Sequence, residues 1–116
     1  MKDKIVVLVT CGSVREARRI ARGLVERRLA ACGNIIEAQL RSIYRWKGKV
    51  QSAQECLLLI KTSRGRFGAL QVEVKRLHSY EVPEIIALPI VAGSTEYLKW
   101  IEECVSEPDL RRTGKR

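Results

Sequence analysis

Two long β-type segments that meet at Lys47-Gly48-Lys49 constrain the fold of this chain more than any other feature. From Cys32 to Lys61 the residues follow the two-residue alternation of a β-strand, with runs of β-branched side chains. Gly48 supplies the positive φ that a tight hairpin needs. Because the predicted arms are long for strands, we expect the hairpin to extend beyond the rest of its sheet.

Aromatic side chains on such an overhang need a second surface to cover them. Tyr44 and Trp46 lie on one predicted arm, where an isolated chain would expose them together with unpaired backbone. Packing across the hairpin is the simpler explanation for both residues. We favour a contact between subunits, and we expect Trp100 on the last predicted helix to lie at the same interface.

The segment before the hairpin is typical of a strand followed by a helix. Residues 5–11 are almost continuously apolar and β-branched, which predicts a buried strand. Ser13 and Glu16 have the spacing of a capping box. Apolar residues then recur at helical spacing from Val14 to Leu29, which predicts an amphipathic helix of about sixteen residues.

The segment after the hairpin predicts a helix, a strand and a second helix, at residues 67–77, 84–91 and 97–105. Thr62-Ser63 and Ser94 are the candidate N-caps of the two helices. The first helix should end near His78, because Pro83 prevents its continuation. We expect the strand to be buried, with Pro89 marking an edge or a bulge near its end.

The predicted order is β-α-β-β-α-β followed by a C-terminal helix. This order indicates an α+β chain with the ferredoxin-like split βαβ plan, in which two helices cover one face of a four-stranded antiparallel sheet. The other face then needs a cover, for which we favour another subunit. At 116 residues the chain is long enough for one domain, which we place at residues 1–107, followed by a basic tail at 108–116.

The formal charge of +9 raises the question of a nucleic-acid partner. The arginines cluster on the polar side of the first helix and in the tail, and the sequence has no helix-turn-helix pattern or zinc-finger spacing. A single phenylalanine is too few aromatics for an RNA-stacking sheet. We therefore predict a solvated basic surface and no nucleic-acid partner.

The apolar runs and the cysteines indicate a cytoplasmic protein with no membrane segment. Every apolar run is too short to span a bilayer, and residues 5–9 are too few for the apolar core of a signal peptide. Cys11, Cys32, Cys56 and Cys104 lie in apolar segments without metal-type C-x-x-C spacing. We expect buried thiols rather than disulfides, and Cys56 and Cys104 in the core.

His78, the only histidine, is the main candidate for chemistry. It can ligate a divalent metal, or it can simply interact with the free carbonyls at the end of a helix. A metal site needs three or four ligands, and the neighbouring sequence offers no local cluster. We predict no enzyme, because the sequence has no nucleophile beside a base, no phosphate-binding loop and no second histidine.

Five segments in this order resemble the CutA divalent-cation tolerance family: LAACGNII, SIYRWKGKV, LLLIKTS, LHSYEVPEIIALPI and YLKWIEE. The resemblance covers roughly residues 4–105. It implies a ferredoxin-like homotrimer joined through long hairpins and sheet edges, with an architecture similar to PII signalling proteins. It also implies a role in tolerance of copper and other divalent cations, and no established enzymatic reaction.

The resemblance also bears on the metal ligands. Some members carry a cysteine in the first strand and a doubled histidine, whereas the matching positions here are Val9 and Leu77. His78 and Cys32 remain as matching ligands, and we add Glu81 from a neighbouring chain. The expected ion is copper or zinc, with no organic cofactor. The alternatives are a PII-like trimer that signals or binds a small ligand, and an interaction scaffold without a ligand.

Overall fold

The central strand of the sheet is β1 (Lys4–Cys11), which pairs antiparallel with β3 on one side and β4 on the other. A computed structural model describes residues 2–106. The remaining elements are α1 (Val14–Glu26), β2 (Cys32–Trp46), β3 (Lys49–Ser63), α2 (Phe67–Leu77), β4 (Ile86–Pro89) and α3 (Thr95–Val105). The sheet order is β2-β3-β1-β4, which confirms the α+β ferredoxin-like split βαβ plan with a C-terminal helix. The predicted tail at 108–116 lies outside the described residues.

One face of the sheet carries the main core. Alternate residues of β1 and β3 are buried there against α1 and α2, as the period of a strand requires. The buried side chains include Val7, Ile20, Leu58, Ile60, Leu70 and Val74. Both helices therefore pack on one face, as predicted.

The opposite face of the sheet, which we call the open face, has no such cover from the helices of this core. It carries Val6, Leu8, Leu57 and Leu59, which are partly exposed, and Ile86 and Leu88, which are about half exposed. The register places Leu8 opposite both Leu59 and Ile86, so these side chains form one apolar surface.

Helix α1 begins where the sequence predicts. Ser13 caps it, because the Ser13 hydroxyl accepts a hydrogen bond from the Glu16 backbone N–H at 3.1 Å. The helix ends at Glu26, earlier than the predicted Leu29, because Arg28 has a φ of 58° and turns the chain. The Glu16 carboxylate does not complete a capping box, since its hydrogen bond goes to the loop after α2.

The predicted cap of α2 is wrong. Thr62 is buried in β3, where its hydroxyl donates to the Leu29 carbonyl, and Ser63 makes no capping hydrogen bond. A single 3₁₀ turn, Arg64–Arg66, connects the strand directly to α2. The C-terminal end is as predicted: α2 stops at Leu77, and the His78 N–H closes it on the Val74 carbonyl.

The prediction of a buried strand at 84–91 is also wrong. β4 has four residues, all exposed, and it pairs only with β1. A strand with one neighbour presents its other edge to solvent within the chain, so its apolar sequence does not make it buried. Pro89 at the end of β4 fits this edge position, because it has no N–H to donate.

The long hairpin is confirmed. Lys47 and Gly48 form its two-residue turn with φ values of 51° and 80°, the geometry of a type I′ turn. β3 joins β1 only from Cys56 onward, so residues 40–46 and 49–55 project beyond the sheet as a two-stranded ribbon. An irregularity in the register between Ile36 and Leu40 marks the root of this ribbon.

Helix α3 makes a second, smaller core. Ile101 and Val105 are buried with Ala31, while Trp100 and Cys104 pack partly buried against them. The Ser94 hydroxyl accepts from the Tyr97 N–H, so Ser94 is the N-cap as predicted. Cys56 is buried in the main core, as expected. No helix within residues 2–106 combines the length and the apolar character that a membrane crossing needs.

A buried ammonium anchors α3 to the sheet. The side chain of Lys4 is fully buried and pairs with Asp3 at 2.8 Å and Glu102 at 2.6 Å. Burial alone would lower the pKa of Lys4, but its hydrogen bonds to the two carboxylates raise it overall. The same hydrogen bond from Lys4, helped by one from Ser106, lowers the pKa of Glu102.

This anchor predicts a contribution to stability that depends on pH. The pKa of Glu102 in the folded chain lies below its usual value of 4.5. Its stabilising contribution is therefore present above about pH 4.5 and is lost as the pH falls through the folded value. Between about pH 5 and pH 3, the free energy of unfolding should fall more steeply for the unchanged protein than for Glu102→Gln.

Urea unfolding at several pH values measures this difference. The matched control is Glu103→Gln, since Glu103 forms none of the ion pairs found in residues 2–106. Equal acid sensitivity of the Glu102→Gln variant and the unchanged protein would show that the anchor contributes nothing to stability.

Candidate functional site

Three chain segments converge at one end of the core. β1 ends at Cys11, α1 begins after Ser13, and α2 ends at Leu77, so the side chains near these ends lie together. This arrangement follows from the split βαβ plan, in which the end of the first strand meets the end of the second helix. The side chains brought together there are those of Cys11, Glu16 and His78.

The imidazole of His78 is fully buried and hydrogen-bonded on both sides. Its Nε2 lies 2.8 Å from the carbonyl oxygen of Thr10, so Nε2 carries the proton and donates. Its Nδ1 accepts from the backbone N–H of Tyr80 at 3.0 Å. The ring is therefore the neutral Nε2–H tautomer, and it ties the end of β1 to the loop after α2.

Glu16 supplies a carboxylate to the same place. Its Oε2 accepts from the Ser79 N–H at 2.9 Å. Its Oε1 is buried, has no hydrogen-bond partner within residues 2–106, and lies 3.9 Å from Nδ1 of His78. An oxygen left in this state is costly, so it is an acceptor with capacity for a further partner.

Cys11 completes the group with a thiol. One ligand atom each from Cys11, Glu16 and His78 lies within 4.8 Å of the other two. Burial raises the pKa of Cys11 to about 12, and the charges of Cys56, Glu16 and Glu55 contribute in the same direction. The thiol is protonated at neutral pH, and only a cation placed beside it would favour the thiolate.

The three side chains have the ligand types that small transition-metal cations prefer. Thiolate, imidazole and carboxylate are the ligands of zinc, and a thiolate also suits reduced copper. The hydrogen bond from Nε2–H to the Thr10 carbonyl is the outer contact that orients a metal-binding histidine. Ligand atoms around tetrahedral zinc lie roughly 3.3–3.8 Å apart, so the three side chains would have to draw closer together. Nδ1 of His78 would also have to exchange its hydrogen bond from Tyr80 for the cation.

Of the three predicted ligands, the chain brings only His78 into this group. Cys32 pairs with Lys61 on β3, whose partner on β1 is Val6. Val6 is four residues from Thr10, or about 13 Å along the strand. The prediction that Cys32 meets His78 across a subunit boundary is not tested by a single chain.

Cys32 has a different neighbour within the chain. Its sulfur lies 3.6 Å from the hydroxyl of Tyr97. This hydrogen bond, followed by burial, raises the pKa of Tyr97 to about 12. Cys32 is therefore in contact with α3 rather than with the buried group.

Glu81 lines a cavity of about 580 Å³ between the ribbon and the loop after α2, together with Tyr44, Trp46, Tyr80 and Glu55. Tyr80 donates its hydroxyl to the buried carboxylate of Glu55 at 2.8 Å. Burial, and then the hydrogen bond and charge of Glu55, raise the pKa of Tyr80. Glu81 therefore lies on the cavity side of the loop after α2, whereas the His78 side chain of the same loop is buried in the core.

The predicted interface residues fall in two places. Tyr44 and Trp46 remain 45% and 37% exposed on the ribbon. Trp100 packs partly buried in the small core, with its ring centroid 5.5 Å from that of Tyr97. The prediction that all three lie between subunits stays a prediction, because the structure contains one chain.

Sequence reasoning misses two members of the buried group. It assigns Glu16 to a capping box, and it treats Cys11 only as a thiol in an apolar segment. The one available signal is the placement of a thiol at the end of a strand and a carboxylate one turn into the next helix. Nothing in that spacing indicates that His78, far along the chain, lies between them.

The two hydrogen bonds of His78 predict a large effect of its removal. His78→Ala removes a fully buried ring and the partner of the Thr10 carbonyl and of the Tyr80 N–H, so the free energy of unfolding should fall by about 2–4 kcal/mol. Ser79→Ala is the control, because it keeps the backbone N–H that Glu16 binds. Urea unfolding measures both, and a loss no larger than that of Ser79→Ala would contradict the structural role of the imidazole.

The chain matches the family described as CutA1 divalent ion tolerance protein over residues 5–104. It is 56% identical to the divalent-cation tolerance protein CutA of Thermus thermophilus over 98 residues, which are 84% of this chain and 94% of that relative. It is 47% identical to the human protein CutA over 95 residues, which are 82% of this chain and 52% of the human protein. The chain thus spans nearly all of the bacterial relative and about half of the human one.

Solved structures of divalent cation tolerance proteins have the same fold as this chain. A divalent cation tolerance protein from Thermus thermophilus superposes with a TM-score of 0.85 at 53% identity, covering 89% of this chain and 99% of that one. The periplasmic divalent cation tolerance protein CutA from Archaeoglobus fulgidus also gives 0.85, at 41% identity and with the same coverage. The fold and the sequence therefore agree over the whole core.

Proposed function

The chain belongs to the CutA1 divalent ion tolerance family, and from this premise we propose that it binds a divalent cation as a cytoplasmic homotrimer. The ion is copper or zinc, and the role is tolerance of metal ions by binding rather than by catalysis. The observation that carries the proposal is the buried group of Cys11, Glu16 and His78. This group combines a thiol, an imidazole and an unpartnered carboxylate oxygen.

Cation binding would relieve one cost in the folded chain: the Glu16 Oε1 lacks a hydrogen bond, and a cation would give it a partner. The Cys11 thiol is held protonated by burial and by nearby negative charges, so a cation would have to displace its proton, and the charge of the cation would favour that step. Cys32 and Glu81 remain the alternative ligands if subunits bring them to a shared site.

Two exposed surfaces support the trimer. The open face carries Leu8, Leu59 and Ile86 without a cover from the main core, and the ribbon exposes Ile43 and Val50 by 71% and 66%. An isolated chain would leave both surfaces in water next to free sheet edges. A homotrimer would bury them together, since the ribbon of each subunit reaches beyond its own sheet.

The absence of a disulfide among three cysteines supports the proposed cytoplasmic location. Cys11, Cys32 and Cys56 form no disulfide, and such thiols persist in a reducing compartment. The Archaeoglobus relative is named periplasmic, so we base the proposed location on the cysteines of this chain rather than on its relatives.

The cavity between the ribbon and the loop after α2 favours a second candidate function. Its volume of about 580 Å³ and its aromatic walls, Tyr44 and Trp46, are suited to a small organic ligand. A PII-like trimer that binds such a ligand, with only incidental metal binding, would use this cavity and leave the buried group without a role.

Calorimetric titration with zinc tests the metal site, because zinc has no redox chemistry that would oxidise the thiols. The unchanged protein should bind zinc, and Cys11→Ala and Glu16→Gln should each weaken binding by at least about tenfold. Cys32→Ala and Glu81→Gln are the matched variants for the ligands expected from sequence. Circular dichroism checks that each variant is folded.

The outcome separates the two ligand sets. Weaker zinc binding in Cys11→Ala and Glu16→Gln alone supports the buried group. Weaker zinc binding in the other two variants alone assigns the site to Cys32 and Glu81. Absence of heat with the unchanged protein would rule out the proposed cation binding and favour the small-ligand candidate.

Light scattering after gel filtration tests the trimer. The unchanged protein should have the mass of three 13.2 kDa chains, or about 40 kDa. Tyr44→Glu should shift the mass toward that of one chain, because it places a charge in a buried contact. Val72→Glu is the control, since Val72 is exposed on α2 away from the ribbon. A single-chain mass for the unchanged protein would contradict the proposal.

A further inference from the structure

We infer that cation binding at Cys11, Glu16 and His78 is coupled to the root of the ribbon through Tyr80. The inference rests on the proposed function and adds a means by which an occupied site changes the surface offered to other subunits or ligands. Tyr80 is the coupling residue because its backbone N–H donates to the His78 imidazole and its hydroxyl donates to Glu55 at the root of the ribbon.

The first step concerns the lone pair of His78. A neutral imidazole has one nitrogen able to ligate a cation, and here that nitrogen is Nδ1, since Nε2 carries the proton donated to Thr10. Nδ1 faces Glu16 Oε1 at 3.9 Å, on the side of the group. Its lone pair is already used by the Tyr80 N–H at 3.0 Å. His78 can therefore ligate through Nδ1 only if the Tyr80 N–H leaves.

The second step concerns the contacts that restrain one side of Tyr80, a residue that is otherwise 36% exposed. Its ring packs on the His78 ring with centroids 4.6 Å apart. Its hydroxyl lies so close to Gly12 that a Cβ at that position would stand 3.3 Å from it. The preceding residue is also held, because the Ser79 N–H is bound by Glu16. A shift of the Tyr80 backbone would therefore disturb the contacts of the phenol as well.

The third step concerns Glu55, which accepts the Tyr80 hydroxyl at 2.8 Å. Glu55 pairs with Leu40, the first pair of the ribbon beyond the irregular register, and it immediately precedes Cys56, where β3 joins β1. It is 7% exposed, so water does not readily replace the phenol. Loss of this hydrogen bond changes the contacts at the point where the ribbon leaves the sheet.

The three steps set cation binding against the Tyr80–Glu55 hydrogen bond. Such coupling is reciprocal: a cation weakens the hydrogen bond, and removal of the hydrogen bond strengthens cation binding. Tyr80→Phe, which lacks the hydroxyl and keeps the ring, should raise zinc affinity roughly three- to tenfold. Glu55→Gln, which keeps a weaker acceptor, should give a smaller increase.

The ribbon itself supplies the second measurement. Trp46 lines the same cavity from the far end of the ribbon, where it pairs with Lys49 next to the turn, so its environment should change when the ribbon moves relative to the loop after α2. Full-length protein labelled with 5-fluorotryptophan reports this change by fluorine NMR during a zinc titration, and Trp46→Phe assigns the resonance. The Trp46 resonance should shift with the zinc occupancy measured by calorimetry, and the shift should be much smaller in Tyr80→Phe.

The combined results decide between the inference and its premise. Zinc heat with a Trp46 shift that Tyr80→Phe reduces supports the coupling. Zinc heat with an unmoved Trp46 resonance, or with no gain of affinity in Tyr80→Phe and Glu55→Gln, overturns the coupling alone. Absence of zinc heat in the unchanged protein overturns both the proposed cation binding and the coupling.

Discussion

The buried imidazole of His78 is the contact on which the rest of the site depends. It donates to the last part of β1 and accepts from the loop after α2, so it joins two segments that the chain connects only through several intervening elements. Without it, the Thr10 carbonyl and the Tyr80 N–H would both lose their hydrogen-bond partner. The ring thereby helps to hold Tyr80 where its hydroxyl reaches Glu55 on β3.

The order of elements could be predicted from the sequence because each depends on local signals. Ser13 and Ser94 cap their helices, and Gly48 closes the hairpin, as the residues near them indicate. The errors arise where a tertiary contact overrides a local preference. Thr62 has the chemistry of a cap, but its hydroxyl is used by the Leu29 carbonyl inside the sheet. β4 is apolar, but its burial depends on a partner that this chain does not supply.

The site was predictable only in part, for the same reason. His78 could be identified as the single imidazole, and the end of a helix near it could be predicted from Pro83. The packing of Cys11 and Glu16 around it depends on how β1, α1 and α2 close together, which no spacing in the sequence encodes. The family resemblance predicted Cys32 as a ligand, because a resemblance assigns roles only to positions that match the family pattern. It gives no prediction for Cys11 and Glu16.

The loop after α2 has two faces with different chemistry, and this division gives the architecture its functional interest. Its inner face holds the fully buried imidazole of His78, next to the hydrogen bond from the Ser79 N–H to Glu16. Its outer face carries Glu81 beside the cavity and the exposed aromatics of the ribbon. Tyr80 belongs to both faces, since its backbone binds inward and its hydroxyl binds the ribbon. A change at His78 can therefore reach the ribbon through a single residue, because no other residue within 2–106 hydrogen-bonds to both His78 and Glu55.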